Sequence, residues 1–453
     1  MTEGIVIIGC GAAGATAAMQ ARKFNRNIDI TVIDAEPHSQ YSRCGLPYTI
    51  SGRVRDFRDL VLTPPENWST LKIRALLGTW VTGIDSGSHI LTVVGPGGED
   101  RLEYGTIVFA TGASNVDPPV IGLDKRRIYR LRTIDDAKSL AQEVGRARRM
   151  VVIGGGLIGM ETAEALKERG IDVTVVEFLP NVLLAMVDPD VAEMIEKHCT
   201  EHGLHIMTNT AAMEVLGDAE PRSVLVKHRV TGETSEIPAD AVVVATGVRP
   251  NVDLARSIGV NVGTTGGIVV DDMMRTNLDG VFACGDCAEH VDFVTRRPTV
   301  AGLGTVAVRQ GRVAGINAAG GEARFPGIVG AKVTKLFGLE IGSTGLTEEL
   351  GKKYGIDLVV GSVMGLTKPP YYIGGTKIRV KSYFSRESGK LVGGQVVGLE
   401  DAAMRLNVLT LGIQTGLRAD GLFDFENCYA PAVCDTWDPL VTSADAARKR
   451  LRL

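Results

Sequence analysis

The stretch IVIIGCGAAG at residues 5–14 decides the fold of this chain, and the same pattern recurs as MVVIGGGLIG at residues 150–159. Each copy begins with an apolar run and passes through a glycine-rich turn. A second apolar run then ends at an acidic residue, which is Asp34 after the first copy and Glu177 after the second. We call the two copies the first and second fingerprints.

The order of a strand, a glycine turn, a helix, a second strand and an acid is typical of a βαβ unit that binds a dinucleotide. The glycines let the backbone approach a pyrophosphate closely, and the start of the helix offers oriented N–H groups. The carboxylate accepts hydrogen bonds from ribose hydroxyls. Two complete fingerprints therefore predict two bound dinucleotides.

The surroundings of the fingerprints indicate an internal duplication. Residues 4–112 close with the segment ATG, as do residues 150–247. Further predicted elements are a hairpin region at 87–98, a strand ending at Gly285-Asp286 and a helix over 299–319. Past residue 330, an α+β domain is predicted from strand-like runs at 332–336, 377–384 and 391–397 and a helix over 401–415. The predicted fold class is α/β, with two Rossmann-like domains and this C-terminal domain.

Composition bounds the possible functions. The chain has 453 residues, 44% of them hydrophobic, which is enough for two or three cores. With 49 basic and 53 acidic residues, neither nucleic acid nor a membrane surface is expected as the main partner. No apolar run approaches the roughly 20 residues of a membrane span, and the first strand begins too near Met1 for a signal peptide. The basic run at residues 448–452 is expected to be a solvated tail.

Seven cysteines, an odd number scattered along a long chain, indicate free thiols in a reducing cytoplasm. No metal site is expected, because no second CxxC with metal-ligand spacing accompanies Cys284 and Cys287. That pair resembles a redox motif but straddles Asp286, so a structural role is favoured.

The fingerprints, the ATG segments and the Gly-Asp strand end resemble the pyridine nucleotide-disulfide oxidoreductases over essentially the whole chain. The resemblance implies a glutathione-reductase-like fold and a homodimer. The implied FAD-binding domain comprises residues 1–115 and 248–325, the NADH-binding domain comprises 116–247, and the dimerisation domain comprises 326–453.

The resemblance also implies which residues hold the two cofactors. The FAD contacts would be Gly9, Gly11, Ala12, Ala13, Gly14, Asp34, Arg43, Thr111, Gly112 and Asp286. The nicotinamide-cofactor contacts would be Gly154, Gly156, Gly159, Glu161, Glu177 and Gly247. Glu161 matches a family position facing the nicotinamide, although it could also be an ordinary exposed carboxylate on a helix.

Glu177 decides between NADH and NADPH. A carboxylate accepts a hydrogen bond from the free 2′-hydroxyl of NADH and repels the additional phosphate of NADPH. No basic residue follows Glu177 until Lys197. NADH is therefore the expected cofactor, with NADPH less favoured.

The segment YSRCGLPY at residues 41–48 carries the chemistry. Family members that resemble glutathione reductase place a second cysteine five positions after the first, but here that position is Thr49. Cys44 thus resembles the single-cysteine branch of coenzyme A disulfide reductases, NADH oxidases, NADH peroxidases and NADH-dependent sulfur reductases. A lone thiolate accepts electrons by breaking a bond to sulfur or oxygen. Arg43 and a helix N-terminus following Pro47 are expected to favour the thiolate.

Substrate residues follow from the same resemblance. NADH oxidases and peroxidases carry a histidine where this chain has Ala12, as the coenzyme A disulfide reductases do. The residues that match coenzyme A contacts are Thr16, Gln20, Lys23, Arg43 and Lys72. Two departures put coenzyme A itself in doubt, because Arg43 replaces the usual asparagine and Trp437 stands where a lysine commonly meets the coenzyme A phosphates.

Three residues near the C-terminus complete the implied catalytic set around Cys44. Tyr372 and Tyr429 resemble tyrosines that the partner subunit contributes to the site. Cys434 is either a redox relay near the Cys44 of a partner subunit or a small packing residue.

The predicted protein is a cytoplasmic, FAD-dependent enzyme that uses NADH to reduce a low-molecular-weight disulfide, persulfide or polysulfide through Cys44, with coenzyme A as a possible carrier of the sulfur. One alternative is an NADH oxidase or peroxidase. Another is a reductase subunit that passes NADH electrons to a redox protein, with Cys44 incidental. A redox-sensing scaffold is disfavoured because both fingerprints are complete.

Overall fold

The computed structural model of the protein describes residues 4–451. The first part contains the predicted βαβ unit. Its elements are β1 (Ile5–Ile8), α1 (Ala12–Phe24), β2 (Ile30–Asp34), α2 (Leu46–Ile50), α3 (Pro65–Thr70), β3 (Arg74–Leu77), β4 (Trp80–Asp85), β5 (Ile90–Gly95), β6 (Gly98–Glu103), β7 (Thr106–Phe109) and β8 (Ala113–Asn115). All four residues of β1 are buried, as expected for a parallel strand covered on both faces. The predicted hairpin region is the centre of the antiparallel sheet β4-β5-β6.

The second part repeats this arrangement. Its elements are β9 (Ile128–Tyr129), α4 (Ile134–Ala141), β10 (Arg149–Ile153), α5 (Leu157–Glu168), β11 (Asp172–Val176), α6 (Pro189–Glu201), β12 (His205–Met207), β13 (Thr210–Leu216), β14 (Ser223–His228), β15 (Thr234–Pro238) and β16 (Ala241–Val244). The strand β10 is central in a parallel sheet of order β12-β11-β10-β16-β9. The duplication predicted from the two fingerprints is confirmed.

The chain then returns to the first sheet. The elements of this third segment are β17 (Val248–Pro250), α7 (Asp253–Arg256), β18 (Ile268–Val269), β19 (Val281–Ala283), β20 (Ala288–Val291), β21 (Pro298–Thr299) and α8 (Gly304–Ala318). The strand β19 pairs with β7 and completes a parallel sheet of order β19-β7-β1-β2-β3. The helix predicted over 299–319 begins only at Gly304 because the chain first forms β21.

The last part is the predicted α+β unit. Its elements are β22 (Lys332–Leu336), β23 (Leu339–Gly345), α9 (Glu348–Tyr354), β24 (Leu358–Leu366), β25 (Lys377–Ser385), β26 (Leu391–Gly398), α10 (Ala402–Thr415), α11 (Ala419–Phe423) and α12 (Pro439–Leu451). The strands form an antiparallel sheet of order β22-β23-β26-β25-β24. The three predicted strands and the predicted helix are confirmed, whereas β23 and β24 were not expected.

The predicted solvated basic tail is helical, since residues 448–451 form the last turn of α12. Lys449 and Arg450 are exposed as expected, whereas Arg448 is half-buried. Arg448 lies over the Phe423 ring with its guanidinium carbon 3.8 Å from the ring centroid, and it pairs with Asp445 at 2.9 Å. Arg450 donates a hydrogen bond to the Val360 carbonyl at 3.0 Å. Aromatic and carbonyl partners from other elements therefore hold this end, and Arg452 lies outside the described residues.

The α/β fold class is confirmed, while the exact domain limits of 1–115 with 248–325, 116–247 and 326–453 stay a prediction. The return of β19 to the first sheet supports a discontinuous first domain. Within residues 4–451, none of the helices combines the length and the apolar character that a bilayer crossing requires.

Candidate active site

The first fingerprint forms a tight turn with one open side. Gly9 has a positive φ of 111°. A Cβ at Gly14 would lie 1.9 Å from the Gly9 carbonyl oxygen, so the helix can pack against the strand only with glycine there. A Cβ at Gly11 would meet nothing within 4 Å, and no side chain caps the start of α1. The first N–H groups of α1 are therefore free to receive an anion.

Asp34 and Asp286 converge on this turn from two strand ends. The Asp34 carboxylate accepts hydrogen bonds from the Cys10 N–H at 2.5 Å and the Glu36 N–H at 2.8 Å. A Cβ at Gly285 would lie 2.8 Å from the Ala13 Cβ, which brings the Gly-Asp strand end against the start of α1. Both carboxylates thus border the open side of the first fingerprint, as binding of FAD requires.

The segment at Thr111 and Gly112 connects the first two parts of the chain. The Thr111 hydroxyl donates to the Asn251 carbonyl at 2.6 Å. Gly112 and Gly247 have positive φ values of 65° and 117°, which let the chain turn as β8 pairs with β17. These residues shape the backbone at the crossover between the two parts.

The second fingerprint repeats the geometry of the first. A Cβ at Gly159 would lie 2.0 Å from the Gly154 carbonyl oxygen, whereas a Cβ at Gly156 would meet nothing within 4 Å. No side chain caps the start of α5. Glu177 is buried and accepts from the Gly155 N–H at 2.5 Å and the Leu179 N–H at 2.7 Å. A dinucleotide pyrophosphate fits the open start of α5, with its ribose at Glu177.

Sequence reasoning missed a basic residue near Glu177. Arg229, in the turn after β14, lies with its guanidinium carbon 3.7 Å from the centroid of the Phe178 ring. It also donates to the Phe178 carbonyl at 3.0 Å. The expectation that no basic side chain stands near Glu177 holds for the linear sequence but not for the folded chain. No local pattern marks Arg229, because it lies fifty-one positions from Phe178.

Cys44 stands in a single 3₁₀ turn, Arg43–Gly45, directly before α2. Cys44 is accessible to solvent and borders a cavity of about 1070 Å³. The same cavity reaches Arg132, Glu161, Leu157 at the start of α5, and Lys332 on β22. The thiol and the start of the second fingerprint therefore share one space.

The expectation that Arg43 favours a thiolate is wrong. Its guanidinium pairs with Glu36 at 2.5 Å and donates to the Tyr41 hydroxyl at 2.9 Å and the Arg132 carbonyl at 2.7 Å. Helix α2 begins at Leu46, before Pro47, and has only five residues. Burial, followed by the negative charges of Glu161 and Asp286, raises the pKa of Cys44.

Arg132 is the cation that acts on this thiol. Its charge lowers the pKa of Cys44 against the larger effect of burial and the carboxylates. It also pairs with Asp286 at 2.9 Å. Arg132 follows β9 and has no sequence signal of its own, since it reaches Cys44 only through the packing of the second part on the first.

Glu161 is held in place and is not an ordinary exposed carboxylate. It is half-buried on α5, and it accepts a hydrogen bond from the Thr334 hydroxyl at 2.6 Å. Burial raises the pKa of Glu161 above its usual range. The position supports the interpretation that Glu161 faces the nicotinamide.

The predicted substrate residues lie along α1 and the turn beside it. Thr16 is buried, and its hydroxyl donates to the Ala12 carbonyl at 2.7 Å within the helix. Gln20 is half-buried, and Lys23 and Lys72 are exposed. Arg22 donates to the Lys72 carbonyl at 2.6 Å, which places Lys72 beside the end of α1. Thr16, Gln20, Lys23 and Lys72 do not line the cavity at Cys44, so their role in binding a substrate stays a prediction.

The C-terminal residues of the predicted site lie outside the cavity of their own chain. Tyr372 and Tyr429 are partly exposed, and Tyr429 pairs through its hydroxyl with Tyr371, at 2.9 Å, instead of with Tyr372. The Cys434 thiol donates to the Cys428 carbonyl at 2.8 Å, and Cys428 is exposed. Sequence reasoning missed Tyr371 and Cys428, although both stand beside residues that it named.

Cys284 and Cys287 are fully buried behind the first fingerprint. The Cys287 thiol lies 3.5 Å from the Phe109 carbonyl and 3.4 Å from the Cys284 carbonyl. Burial raises the pKa of both thiols. This supports a structural role. Among residues 4–451, no group of three or more His, Cys, Asp or Glu side chains could hold a metal ion.

The comparisons with known proteins agree with this geometry. Residues 3–311 match the family described as pyridine nucleotide-disulphide oxidoreductase, and residues 332–440 match the dimerisation domain of the same family.

Curated relatives include an NADH oxidase of Methanocaldococcus jannaschii, which is 38% identical over 450 residues, or 98% of this chain and 99% of the relative. An NAD(P)H coenzyme A polysulfide/persulfide reductase of Pyrococcus horikoshii is 33% identical over 449 residues, or 98% of each chain. Among solved structures, an NAD-dependent persulfide reductase from A. fulgidus has a TM-score of 0.95 and 35% identity, covering 99% of this chain and 83% of that one.

Proposed function

This chain belongs to the pyridine nucleotide-disulphide oxidoreductase family, and we propose that it is an FAD-dependent enzyme that uses NADH to reduce a sulfur–sulfur bond through Cys44. The substrate is a low-molecular-weight disulfide, persulfide or polysulfide, carried by coenzyme A or a similar thiol. Relatives named persulfide and polysulfide reductases support this substrate class.

One observation carries the proposal. Cys44 and Leu157, the residue of the second fingerprint at which α5 begins, border the same cavity of about 1070 Å³. Thr49, at the position of a second cysteine, donates its hydroxyl to the Gly45 carbonyl at 3.2 Å. Within residues 4–451 of its own chain, Cys44 is a free thiol and forms no disulfide. It is therefore available to bond to a sulfur atom of the substrate.

The first fingerprint with Asp34 and Asp286 would hold FAD, and the second fingerprint with Glu177 would hold NADH. Bound FAD supplies the two-electron transfer between the nicotinamide and the sulfur chemistry. The balanced reaction for a persulfide is RSSH + NADH + H⁺ → RSH + H₂S + NAD⁺. In its thiolate form, Cys44 would attack the persulfide S–S bond, form a mixed disulfide with the RS group and release the outer sulfur as H₂S. The two electrons of NADH would then cleave this mixed disulfide, which releases RSH and restores the Cys44 thiolate.

The charges of Arg132 and Glu161 affect the pH at which the Cys44 thiol ionises. Arg132 lowers the pKa of Cys44, while Glu161 raises it. Since burial raises the pKa of Glu161, this carboxyl can hold a proton near the thiol more readily than an exposed glutamate does. Neutral Glu161 no longer opposes the Cys44 thiolate, so protonation at one residue favours ionisation at the other.

A Cys44→Ser variant tests the proposal. It should bind FAD and still show reduction of the flavin by NADH, because hydride transfer does not need the thiol. Its release of H₂S from a coenzyme A persulfide should fall by at least about a thousandfold, the scale on which loss of a covalent nucleophile acts. The two measurements are anaerobic stopped-flow absorbance and sulfide quantification.

Cys199→Ser is the matched control, since Cys199 is a buried free thiol on α6 that does not border the cavity. It should retain full sulfur reduction. Undiminished turnover in Cys44→Ser would refute the thiol mechanism and favour a subunit that passes electrons to a redox protein.

The second candidate function is that of an NADH oxidase, the name of the relative from M. jannaschii. The residue that disfavours it is Ala12, where the oxidase branch carries a histidine. Oxygen consumption with NADH, compared with sulfide release under argon, separates the two. Faster turnover with oxygen at physiological concentrations would favour the oxidase.

The chain carries a dimerisation domain over residues 332–440, and we propose a cytoplasmic homodimer. Apolar and aromatic side chains are exposed around Tyr429, with Ile373 85%, Tyr371 72%, Val433 61% and Trp437 61% exposed. In the dimer, this surface would bring Tyr372, Tyr429 and Cys434 to the Cys44 cavity of the partner subunit. Free cysteines at every position are consistent with a reducing compartment.

A further inference from the structure

Lys332 is a basic residue of the last part of the chain, and it borders the cavity that the second fingerprint also borders. It is the first residue of β22 and borders the cavity at Cys44. Its ammonium donates to the Ala185 carbonyl at 2.9 Å. Burial alone lowers the pKa of Lys332, with no carboxylate to offset it. A positive charge therefore borders the cavity without a neutralising partner of its own.

Two hydrogen bonds join the segment that follows Lys332 to α5 and so determine where Lys332 lies relative to that helix. The Thr334 hydroxyl donates to Glu161 at 2.6 Å, and the Phe337 N–H donates to Glu164 at 2.8 Å. Strand β22 and helix α5 thus run in the same direction, side by side. Lys332 lies two residues before Thr334, a step of about 6.6 Å on the same face of a strand. Leu157, at the start of α5, lies four residues before Glu161, which corresponds to a rise of about 6 Å along the helix axis.

The start of α5 is where a dinucleotide pyrophosphate fits. It lacks a side-chain cap, and Gly156 leaves open space beside it. The N–H groups there attract an anion, and a lysine ammonium nearby adds a full positive charge. Lys332 and Leu157 both border the cavity at Cys44.

We infer that Lys332 binds the pyrophosphate of NADH and thereby positions the cofactor across the boundary between the second and last parts of the chain. This inference rests on the proposed function, since it assumes that NADH occupies the second fingerprint. Lys332 is a positioning residue in this role. It contacts a cofactor group remote from the reacting nicotinamide.

The test compares Lys332→Met with Lys335→Met. Both residues lie on β22, but Lys335 is on the opposite face and pairs with Glu340 at 3.6 Å. Isothermal titration should show a Kd for NAD⁺ and for ADP-ribose about tenfold higher in Lys332→Met, which corresponds to about 1.4 kcal/mol. Both probes contain the pyrophosphate. The Kd for adenosine, which lacks it, should not change, and Lys335→Met should match the wild type with all three probes.

Two further readouts separate charge from packing. Lys332→Arg should restore most of the NAD⁺ affinity, because it keeps the positive charge. In stopped-flow reduction of the flavin, Lys332→Met should raise the NADH concentration for half-maximal rate about tenfold and leave the limiting rate unchanged.

The possible failures are distinguishable. Equal affinities of Lys332→Met and wild type for NAD⁺ would overturn the inference about Lys332 and leave the proposed function intact. Equal weakening for adenosine and ADP-ribose would also overturn it, since the lysine would then act on packing alone. Failure of the wild type to bind NAD⁺ or ADP-ribose would contradict the proposed function itself.

Discussion

At the residue scale, the proposed ribose site of the second fingerprint has a carboxylate, Glu177, and a guanidinium, Arg229, on parts of the chain that lie beside each other. Glu177 is held by two backbone N–H groups, which fix its carboxylate for a ribose hydroxyl. Arg229 stacks on Phe178, the next residue in the chain. A carboxylate favours NADH, whereas a guanidinium at this place can accommodate the phosphate of NADPH. The preference for NADH therefore depends on the balance between the two side chains.

The charge of Glu161 gives a pH prediction for Cys44. Burial raises the pKa of this thiol, and the negative charge of Glu161 raises it further. In Glu161→Gln, the thiolate no longer faces that charge, so the pKa of Cys44 should fall. The rate of alkylation by iodoacetamide, measured against pH, should then rise at a lower pH than in the wild type. The difference should be largest at pH values between the thiol pKa of the variant and the higher thiol pKa of the wild type.

Glu168→Gln is the control for this measurement, since Glu168 stands on the same helix and pairs with Arg53. It should leave the alkylation profile unchanged. A profile for Glu161→Gln that coincides with the wild type, or shifts to higher pH, would show that Glu161 does not act on the thiol.

At the element scale, α1 and α8 cross in close contact. This packing brings together the first fingerprint and the strand end at Asp286, which are the two parts of the proposed FAD site. A Cβ at Gly311 would lie 2.3 Å from the Ala13 carbonyl oxygen, and one at Gly315 would lie 2.1 Å from the Ala17 carbonyl oxygen. Such distances are shorter than real Cβ contacts, so the helices approach only because both residues are glycine. The strand end at Asp286 reaches α1 through this packing.

Gly315→Ala should therefore destabilise the protein, although alanine normally favours a helix. Overpacking at a close contact costs about 1–3 kcal/mol, more than the roughly 1 kcal/mol that alanine gains in helix propensity. The midpoint of urea unfolding should fall, and FAD should dissociate more readily. Gly304→Ala is the control on the same helix, because a Cβ there meets nothing within 4 Å. A higher midpoint in Gly315→Ala would contradict this account.

At the scale of the whole molecule, an ionic network around the buried Lys381 joins the second and last parts of the chain. The Lys381 ammonium on β25 lies 2.8 Å from Asp188, 2.9 Å from Asp190 and 2.7 Å from Glu348. The Tyr383 hydroxyl donates to Asp188 at 2.5 Å. This network holds the start of α6 against the C-terminal sheet, and with it the position of β22 beside α5.

Lys381→Met should lower the stability by about 3–5 kcal/mol, because it leaves the buried Asp188 carboxylate without its cation. Burial lowers the pKa of Lys381, but the hydrogen bonds that its ammonium donates to Asp188, Glu348 and Asp190 outweigh burial and raise the pKa. The lysine's contribution is therefore complete at neutral pH and is lost only as the pH rises through that raised pKa. Urea unfolding at neutral and strongly alkaline pH measures both effects.

The control is Lys352→Met, since Lys352 forms an exposed pair with Glu349 on α9. Exposed pairs contribute about 0–1 kcal/mol, so its unfolding midpoint should barely move. An equally small effect in Lys381→Met would show that the network does not hold the two parts together.

The sequence by itself determined the features that depend on local pattern. The two fingerprints, their acids and the buried runs of β1 and β10 follow from glycine geometry and from continuous apolar stretches, which short segments encode directly. The lone Cys44 and the missing second cysteine at Thr49 are also visible in the sequence. By contrast, the glycine-interrupted strands β23 and β24 carry a weak signal, because glycine lowers strand propensity and the pairing partners supply the stability.

Only the tertiary structure decided how charge is arranged in the site. Arg43, adjacent to Cys44 in sequence, turns away to Glu36, while Arg132 acts on the thiol from a different part of the chain. Lys332 reaches the cavity and Arg229 reaches Phe178 in the same way, across long sequence separations. The reason is physical: electrostatic effects depend on distance and burial in space, and neither is encoded by the neighbours of a residue along the chain.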